Sequence, residues 1–255
     1  MIIVERHEKI LALLEKRQQA SVSELSDLLL VSPATIRRDL ADLEKLGQVT
    51  RVHGGAILSE QYASQMHEQT INEKQSLHQE EKQVIAQQAA LQMRGGETIY
   101  LDAGTTTACL IPLLAQVVPK VTVVTNSVNH AAKLADLSVA VMVIGGSVKL
   151  STNAVIGSNA VQQIQQLQFD RSFLGINGVT AEAGLTTPDM EEAAMKRAVM
   201  AQSRKNYVLA DDSKIGAVNF VKVNDVNEAV LVTNQTDQSE LEAIRKQTQV
   251  IISEA

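Results

Sequence analysis

The chain has 255 residues, 45% of them hydrophobic and 20% charged, a balance typical of a globular protein with two modest domains. No apolar run approaches the roughly 18 residues of a membrane span, and the charged first ten residues are unlike a secretion signal, so we expect a cytoplasmic protein with no membrane partner. The single cysteine excludes an intramolecular disulfide, and the five histidines lack metal-ligand spacing, so we expect neither a metal nor another cofactor.

The net charge of −6 is unevenly distributed along the chain. Residues 1–57 contain eight Lys and Arg against eight Asp and Glu, whereas the remainder contains 15 against 21. The acidic surplus therefore belongs to the C-terminal part. Any nucleic-acid contact of the N-terminal part has to come from the local placement of basic side chains, because no overall positive field is present.

Three helices are predicted near the N-terminus, each with an apolar stripe. Ser21 and Glu24 form a capping-box pattern that opens the second helix. Ser32, a favourable N-cap, and Pro33 at the first helical position open the third. About three residues separate these two helices, which is the spacing of a helix-turn-helix, here at about residues 20–39.

The third helix has the composition of a DNA-recognition helix. Ile36, Leu40 and Leu43 recur on one buried face, and the opposite face is polar and basic. Arginines in the first turns of such a helix can reach phosphates or the edge of a guanine. The side chains expected to contact DNA are Ser32, Thr35, Arg37 and Arg38. The alternative is an amphipathic helix whose polar face is only solvated.

A short hairpin is predicted to follow the three helices. Residues 49–52 are β-prone and residues 53–55 can form a tight turn, which completes a winged helix-turn-helix over residues 1–57. The hairpin would bring Arg51 and His53 near the DNA backbone. The alternative for His53 is a neutral residue of the turn.

Beyond residue 57 the pattern changes to that of an α/β domain. Residues 58–74 are polar and predict a partly helical linker, and a helical pattern covers residues 72–93. Short apolar runs then alternate with helical stretches, which is typical of an open, mostly parallel sheet in a second domain at residues 75–255. The predicted strands are residues 98–101, 121–125, 139–144, 169–175, 207–210, 229–232 and 250–252.

Polar or glycine-rich turns follow five of these strands. Parallel strands bring their carboxyl ends to one edge, where open α/β sheets bind ligands, so we expect these turns to form one crevice. The candidate effector-binding residues in them are Asp102, Gly104, Thr105, Thr106, Thr107, Thr125, Asn126, Gly145, Gly146, Asn177, Gly178 and Lys214.

The first of these turns is suited to an anion. Gly104 permits a close backbone approach, the hydroxyls of residues 105–107 can donate hydrogen bonds, and a helix is expected to begin there. A phosphate monoester is the expected occupant. Asp102 would repel a phosphate, so it is assigned to sugar hydroxyls or to bracing of the loop. The alternative is an ordinary strand-to-helix turn with a threonine cap.

A later helix carries Glu192 and Lys196 four residues apart. This spacing allows two interpretations: an exposed ion pair worth about 0.3–0.5 kcal/mol, or Glu192 binding sugar hydroxyls and Lys196 a phosphate. Lys149 and Lys214 are further candidate phosphate ligands. Each of them can alternatively be a solvated lysine.

The N-terminal motifs resemble those of the DeoR family of bacterial sugar-metabolism regulators. The family pattern of an arginine and two apolar residues at four-residue steps matches Arg6, Ile10 and Leu14. The continuation Ser-x-x-Thr-Ile-Arg-Arg-Asp-Leu matches residues 32–40 without a departure, and residues 51–56 resemble the family's wing. The resemblance implies operator DNA as a partner.

The C-terminal half also resembles the DeoR family, in its sensor domain. The matching residues are Asp102–Thr106, Thr125-Asn126, Gly145-Gly146, Phe169-Asp170, Gly175, Asn177-Gly178, Glu192, Lys196, Asp211, Ser213 and Lys214. The resemblance implies a sugar-phosphate pocket on a fold similar to ribose-5-phosphate isomerase, and repression of a sugar operon by a homo-oligomer, a dimer or a tetramer. Residues 99–107, 173–179 and 184–189 look most like the fructose-operon repressors of Gram-positive bacteria, which implies fructose 1-phosphate or a related effector.

Three functions are compatible with this organisation. The first is a repressor that leaves its operator when a phosphorylated sugar binds, and the second is an activator of the same architecture. The third is an isomerase-like enzyme with Glu192 as the base that abstracts a proton. A second catalytic element is not identifiable and a DNA-binding domain is attached, so we expect no enzyme and assign no catalytic residue.

Overall fold

The computed structural model describes residues 3–17, 19–52, 54–59, 71–117, 121–234 and 239–253. These residues belong to two compact units, one formed by residues 3–59 and the other by residues 71–253. His53 and most of the predicted linker at residues 58–74 lie outside the described residues.

The first unit begins with three helices, α1 (Ile3–Arg17), α2 (Val22–Leu29) and α3 (Pro33–Lys45). The predicted capping box of α2 is present: the Ser21 N–H donates to Glu24 Oε2 at 2.8 Å, and the Glu24 N–H donates to Ser21 Oγ at 3.2 Å. Two backbone donors that have no partner within the helix are thereby satisfied, so α2 begins where the sequence predicts.

A tight turn connects α2 to α3. Leu30 ends α2 in the left-handed conformation, with φ 55°, and the Val31 N–H donates to the Ser26 carbonyl at 3.2 Å. Ser32 then caps α3, and its Oγ accepts from the Thr35 N–H at 3.2 Å. The three-residue connection agrees with the predicted helix-turn-helix spacing.

A three-stranded antiparallel sheet completes the first unit. Its strands β1 (Gln19–Ser21), β2 (Val49–Val52) and β3 (Gly55–Leu58) lie in the order β1-β3-β2. The predicted hairpin is β2–β3, and β1 is an additional strand. At Gly55 a Cβ atom would lie 2.2 Å from the Ala20 carbonyl oxygen, so only glycine allows β1 to pair here.

The apolar faces of the three helices meet in one core with residues of all three strands, including Ala20 of β1. Its buried members include Ile10, Leu14, Leu25, Ile36, Leu40, Leu43, Val49 and Ala56. Burial of each of the larger aliphatic side chains contributes about 1.5–3 kcal/mol. Because α3 buries this stripe, its polar face points outward.

Strands and helices alternate along the second unit. Its strands are β4 (Thr98–Leu101), β5 (Thr122–Thr125), β6 (Ala140–Val143), β7 (Ser147–Lys149), β8 (Ala154–Ile156), β9 (Arg171–Gly175), β10 (Gly178–Thr180), β11 (Gly184–Thr187), β12 (Asn206–Leu209), β13 (Val221–Asn224), β14 (Val230–Asn234) and β15 (Val250–Ser253). Its helices are α4 (Ile71–Ser76), α5 (Gln79–Ala90), α6 (Thr105–Ala108), α7 (Ile111–Val117), α8 (Val128–Asp136), α9 (Ser158–Gln165), α10 (Met190–Ala201) and α11 (Ser239–Arg245).

Seven of these strands form one sheet in the order β15-β14-β12-β9-β4-β5-β6. Every neighbouring pair is parallel. The α/β class and the parallel sheet expected from the sequence are therefore confirmed, and each of the seven predicted strands overlaps one strand of this sheet.

Alternate residues of the sheet face two different cores. In β4, Ile99 and Leu101 pack with residues of α5, α7 and α8, whereas Tyr100 packs with residues of α9 and α10 on the opposite face. Helices therefore cover both faces of the central strands, as the long apolar runs of a parallel sheet require.

Two features of the second unit differ from the sequence predictions. Two small antiparallel sheets, β7–β8 and β10-β11-β13, were not predicted. The helix predicted at residues 72–93 is two helices, because His78 adopts a left-handed conformation with φ 51° between α4 and α5. Among the described residues, no helix is long and apolar enough to cross a membrane.

Candidate functional site

The residues predicted to contact DNA lie together at the start of α3. Arg37 and Arg38 are exposed and form no ion pair with the described residues. The hydroxyls of Ser32 and Thr35 lie 2.9 Å apart in the first turn. Because Ile36 is fully buried in the core, the face that carries the two arginines remains accessible to a nucleic acid.

A buried ion pair holds α3 against α1. The Arg6 guanidinium donates to both oxygens of Asp39, from Nε at 2.5 Å and from Nη2 at 2.8 Å, and this hydrogen bonding raises the pKa of Arg6. His7 Nε2 lies 3.4 Å from the same carboxylate. Since Asp39 directly follows Arg37 and Arg38, the pair fixes the rotation of the recognition helix. In the sequence, Arg6 and Asp39 stand out only as members of a family pattern, and their contact was not predicted.

The wing contributes one described basic residue. Arg51 in β2 is exposed, and its Nη1 lies 3.7 Å from Glu44 Oε2. Its backbone N–H donates to Glu44 Oε1 at 3.2 Å. The position of the other predicted wing contact, His53, lies outside the described residues.

In the second unit, the loops after the parallel strands meet at one edge of the sheet. Asp102 follows β4, Asn126 follows β5, Asn177 lies two residues after β9, and Asp211 lies two residues after β12. Two of these loops are directly connected, because the Gly175 N–H at the end of β9 donates to Asp102 Oδ2 at 3.1 Å. Residues far apart in sequence thus come together there.

The Asp102 carboxylate is engaged within the protein. Lys196 of α10 donates to Asp102 Oδ2, and both side chains are buried. The contact neutralises the two charges and ties the loop after β4 to α10. Loop bracing, one of the two roles predicted for Asp102, is therefore present, and Lys196 brings no surplus positive charge to the edge.

Lys149 and Glu192 belong to a second charged group. Lys149 Nζ lies 2.9 Å from Asp189 Oδ2 and 3.5 Å from Glu192 Oε1, and Thr152 Oγ1 donates to Glu192 Oε1 at 2.8 Å. Burial acts to raise the pKa of Asp189, but hydrogen bonds from the Glu192 N–H and from Lys149 outweigh it, so the pKa is lowered. Together, this group and the Asp102–Lys196 pair contain two ammonium groups and three carboxylates.

Several predicted effector residues hold the edge loops in place. Thr107 Oγ1 donates to the carbonyls of Asp102 and Gly104, at 2.6 and 2.8 Å. Thr125 Oγ1 accepts from the Ser127 N–H at 3.1 Å. These two hydroxyls stabilise the local loop structure. Thr106, which directly precedes Thr107, is also buried.

The predicted residues after β5, β6 and β9 are also packed within the protein. The Gly145 N–H and carbonyl are both bonded to the Gln163 amide, at 3.0 and 2.9 Å. Asn177 Oδ1 accepts from Thr187 Oγ1 at 3.0 Å. Asn126 differs, because its Nδ2 donates to the Val155 carbonyl at 3.2 Å while its buried Oδ1 has no partner among the described residues.

Two predicted glycines are required by close packing. A Cβ atom at Gly178 would lie 2.3 Å from the Ala217 carbonyl oxygen. A Cβ atom at Gly146 would lie 2.8 Å from the Ile156 carbonyl oxygen. Their role in the fold is therefore to let neighbouring segments approach.

A cavity of about 500 Å³ opens beside the loop after β4, among α5, α7 and α8. Of the predicted residues, Gly104 and Thr105 line it. No aspartate or glutamate among the described residues lines it. Three basic side chains that were not predicted also line it: Lys82 on α5, and His130 and Lys133 on α8.

Lys82 is 5% exposed and interacts with carbonyls instead of a carboxylate. Its Nζ donates to the Leu77 carbonyl at 2.6 Å and to the Lys74 carbonyl. Burial lowers the pKa of Lys82, and the charge of nearby Lys214 lowers it further, although the charge of Asp211 acts in the opposite direction. The predicted Lys214 thus lies near this cavity.

His130 is 2% exposed, and its Nδ1 has no hydrogen-bond partner among the described residues. Burial lowers its pKa to about 4, so the ring is neutral at physiological pH. A neutral imidazole offers one donor and one acceptor, and a buried ring nitrogen without a partner is rare in folded proteins.

One group of side chains in the described part of the chain has the composition of a metal site. Ligand atoms of His78, Asp211 and Asp212 lie within 4.8 Å of one another, although the sequence spacing gave no sign of it. Ser213 and Asn234 already donate to the two carboxylates. Nearby Lys82 and Lys214 also oppose a cation electrostatically.

The comparisons with known proteins agree with this two-part organisation. Residues 6–62 match the model of the DeoR-like helix-turn-helix domain, and residues 77–235 match that of the DeoR C-terminal sensor domain. The chain belongs to the DeoR family. DeoR-family membership makes it a transcription regulator of the sugar-operon type, with a first unit that binds DNA.

Two relatives match nearly the full length. An uncharacterized HTH-type transcriptional regulator named FruR from Bacillus subtilis strain 168 is 38% identical over 250 residues, 98% of each chain. The lactose phosphotransferase system repressor of Streptococcus mutans is 34% identical, covering 97% of this chain and 98% of the relative. Both matches therefore extend over the two units of this chain and over nearly the whole of each relative.

A partial structural likeness to ribose 5-phosphate isomerase is also present. The isomerase A of Methanocaldococcus jannaschii matches with a TM-score of 0.39 and 17% identity over 52% of each chain. This is the fold neighbour that the family resemblance implied. The likeness is too low to bear on activity, and the α/β class rests on the observed sheet.

Proposed function

We propose that this DeoR-family regulator represses a sugar-utilisation operon, that of fructose, and that a phosphorylated sugar bound by the second unit releases it from its operator. The relative from Streptococcus mutans is named a repressor of the lactose phosphotransferase system, which supports repression of a sugar-utilisation operon. The fructose-repressor-like stretches at residues 99–107, 173–179 and 184–189 support fructose 1-phosphate or a related fructose phosphate as effector.

The observation that carries this proposal is the open cavity at the carboxyl edge of the sheet. Its volume of about 500 Å³ is in the range of small-molecule sites. Gly104 and Thr105 line it, in the loop that the sequence predicted for a phosphorylated ligand. A sugar phosphate there would contact the loop after β4, which the Asp102–Lys196 ion pair connects to α10. A change in this loop on binding can therefore be transmitted to α10 and the rest of the sheet edge.

On the DNA side, we propose that Ser32, Thr35, Arg37, Arg38 and Arg51 contact the operator. A recognition helix reads about one half-site, and dimers read two half-sites about one helical turn apart, or multiples of that. We therefore propose a homo-oligomer, a dimer or a tetramer. Such a protein works in the cytoplasm, where its operator is.

The test begins with the operator. Genomic fragments bound by the purified full-length protein are sequenced, and fluorescence anisotropy then measures its affinity for that operator with fructose 1-phosphate, fructose 6-phosphate, fructose or inorganic phosphate added. We expect a fructose phosphate to weaken operator binding, and fructose to have no effect. If the phosphates tighten binding, the protein is an activator or a corepressor-dependent regulator; if none has an effect, the effector assignment is refuted.

The double variant Thr105→Ala/Thr106→Ala tests the site. It should still bind the operator but no longer be released by the effector, because the loop that faces the cavity is altered. A normal response of this variant to the sugar phosphate would show that the loop does not bind it.

An isomerase-like activity has no support from the site. Glu192 is held by Thr152 and Lys149, and the relatives are named as regulators and repressors. We therefore assign no catalytic residue. Isomerisation of fructose 6-phosphate by the purified protein, abolished in Glu192→Gln, would overturn this assignment.

A further inference from the structure

The charges at the sheet edge do not favour a phosphate at the predicted lysines. Lys196 is neutralised by Asp102, and Lys149 lies between Asp189 and Glu192. A phosphate monoester carries about −1.5 to −2 charges at neutral pH. It would therefore meet a group with a surplus carboxylate, while the acidic side chains there suit the neutral hydroxyls of a sugar.

The cavity among α5, α7 and α8 has the opposite character. It has no acidic lining residue and contains Lys82 and Lys133. Lys133 is exposed, and within the described part of the chain neither lysine forms an ion pair with a carboxylate. Two ammonium groups that line one cavity and have no ion-pair partner among the described residues are a favourable setting for a dianion, particularly where partial burial reduces screening.

Two neighbouring features point to a ligand independently of charge. The buried Nδ1 of His130, which lines the cavity, has no partner among the described residues. A ligand hydroxyl or phosphate oxygen would satisfy it, depending on the tautomer of the ring. Among the described residues, Lys82 also has one N–H without an acceptor, because an ammonium group has three donors and the carbonyls of Lys74 and Leu77 accept from two of them.

The lining of the cavity also includes a row of amides. Gln75, Gln79, Gln83 and Gln87 line it at four-residue spacing, which places the last three on one face of α5. Each amide both donates and accepts hydrogen bonds, as the hydroxyls of a sugar require. The row is therefore complementary to the neutral part of a phosphorylated sugar.

We propose that the effector's phosphate group binds between Lys82 and Lys133 in this cavity, next to Thr105 and His130, with its sugar hydroxyls toward the glutamine row. The proposal rests on the proposed function, since it takes a phosphorylated sugar as the ligand. The proposed phosphate ligands are therefore Lys82 and Lys133, which no sequence motif indicated, and not the predicted Lys149 and Lys196.

The decisive experiment is isothermal titration calorimetry on the full-length protein with fructose 1-phosphate, fructose 6-phosphate and fructose. Lys133→Met removes one ammonium from an exposed position and retains the fold, and we expect it to raise the Kd of the phosphorylated sugar at least tenfold. Lys82→Met should have a similar or larger effect, with its melting temperature measured in parallel because Lys82 is buried. Lys246→Met, an exposed lysine on the C-terminal side, is the matched control and should leave the Kd unchanged.

The outcomes separate the two proposals. If the wild type binds neither phosphorylated sugar, the fructose-phosphate effector is refuted and this placement with it. If the wild type binds one of them and Lys133→Met and folded Lys82→Met bind it equally well, only the placement of the phosphate is refuted. An equal loss of affinity for fructose and for its phosphates in the lysine variants would also contradict this placement, because the lysines would then not contact the phosphate group.

Discussion

The two units use positive charge in opposite ways. In the first, Arg37 and Arg38 of α3 are exposed and have no ion-pair partner in the part of the chain that the structure describes. In the second, Lys82, Lys149 and Lys196 are held by carbonyls or carboxylates. The difference follows from the ligands. DNA is a long polyanion, so exposed and hydrated side chains can bind it. A small anionic ligand instead requires ammonium groups that are already held in position before it binds.

The first unit nevertheless contains one buried charge pair, and breaking it should give the largest effect. Asp39→Asn removes the buried carboxylate charge that both Arg6 hydrogen bonds reach, and we expect the free energy of unfolding of this unit to fall by about 3 kcal/mol. Hydrogen exchange of the α3 amides measures it, and operator affinity should fall in parallel. Asp42→Asn, which alters an exposed carboxylate 3.7 Å from Lys45, is the control and should change exchange little. Unchanged protection in Asp39→Asn would mean that the pair is dispensable for holding α3.

The exposed arginines should affect binding and leave stability unchanged. Arg37→Ala or Arg38→Ala is expected to weaken operator binding by about 1–3 kcal/mol, roughly 10- to 100-fold, because a base or phosphate contact is lost. Fluorescence anisotropy gives the Kd, and the affinity for the sugar phosphate should be unaltered. Arg94→Ala, an exposed arginine of the second unit, should bind the operator like the wild type. An equal loss in that control would show that general charge, and not the α3 surface, governs binding.

The smallest predicted effect concerns the neutral histidine of the cavity. Burial lowers the pKa of His130 to about 4, compared with 6.5 for the unfolded chain, so protonation favours unfolding. The contribution of the neutral His130 ring to the free energy of unfolding is fully present above pH 6.5 and is lost as the pH falls toward 4. Between pH 7 and pH 5 the loss is about 2 kcal/mol.

Urea unfolding at these two pH values, followed by circular dichroism, tests this prediction. The variant His130→Asn lacks the titrating ring and should lose less stability than the wild type on acidification. A pH dependence as steep as that of the wild type would contradict the assignment to His130.

The main sheet could be predicted from the sequence because each of its strands is a continuous apolar run between turns. Each predicted strand overlaps an observed one, for instance residues 98–101 with β4. The strands β7, β8 and β10 have only three residues each, too few for a periodic signal. The break between α4 and α5 was missed because a left-handed residue such as His78 leaves no mark on the pattern of apolar residues.

The site was predictable in position but not in chemistry. Residues that follow parallel strands could be assigned to one edge, and Asp102, Gly104 and Thr105 are found there. The pairing of Lys196 with Asp102 joins positions 94 residues apart, and nothing in local spacing indicates it. Lys82 was missed because a lysine on an amphipathic helix is usually solvated. The four-residue repeat of glutamines beside it was the one available signal.

The environment of Lys82 has a consequence for the start of the second unit. Lys82 Nζ donates to the carbonyls of Lys74 in α4 and of Leu77 just after it. These hydrogen bonds connect α4, the first described helix of this unit, to α5. An anion that accepts a hydrogen bond from the third N–H of Lys82 would complete the three hydrogen bonds of this ammonium group. Occupancy of the cavity would then hold α4 more firmly against α5.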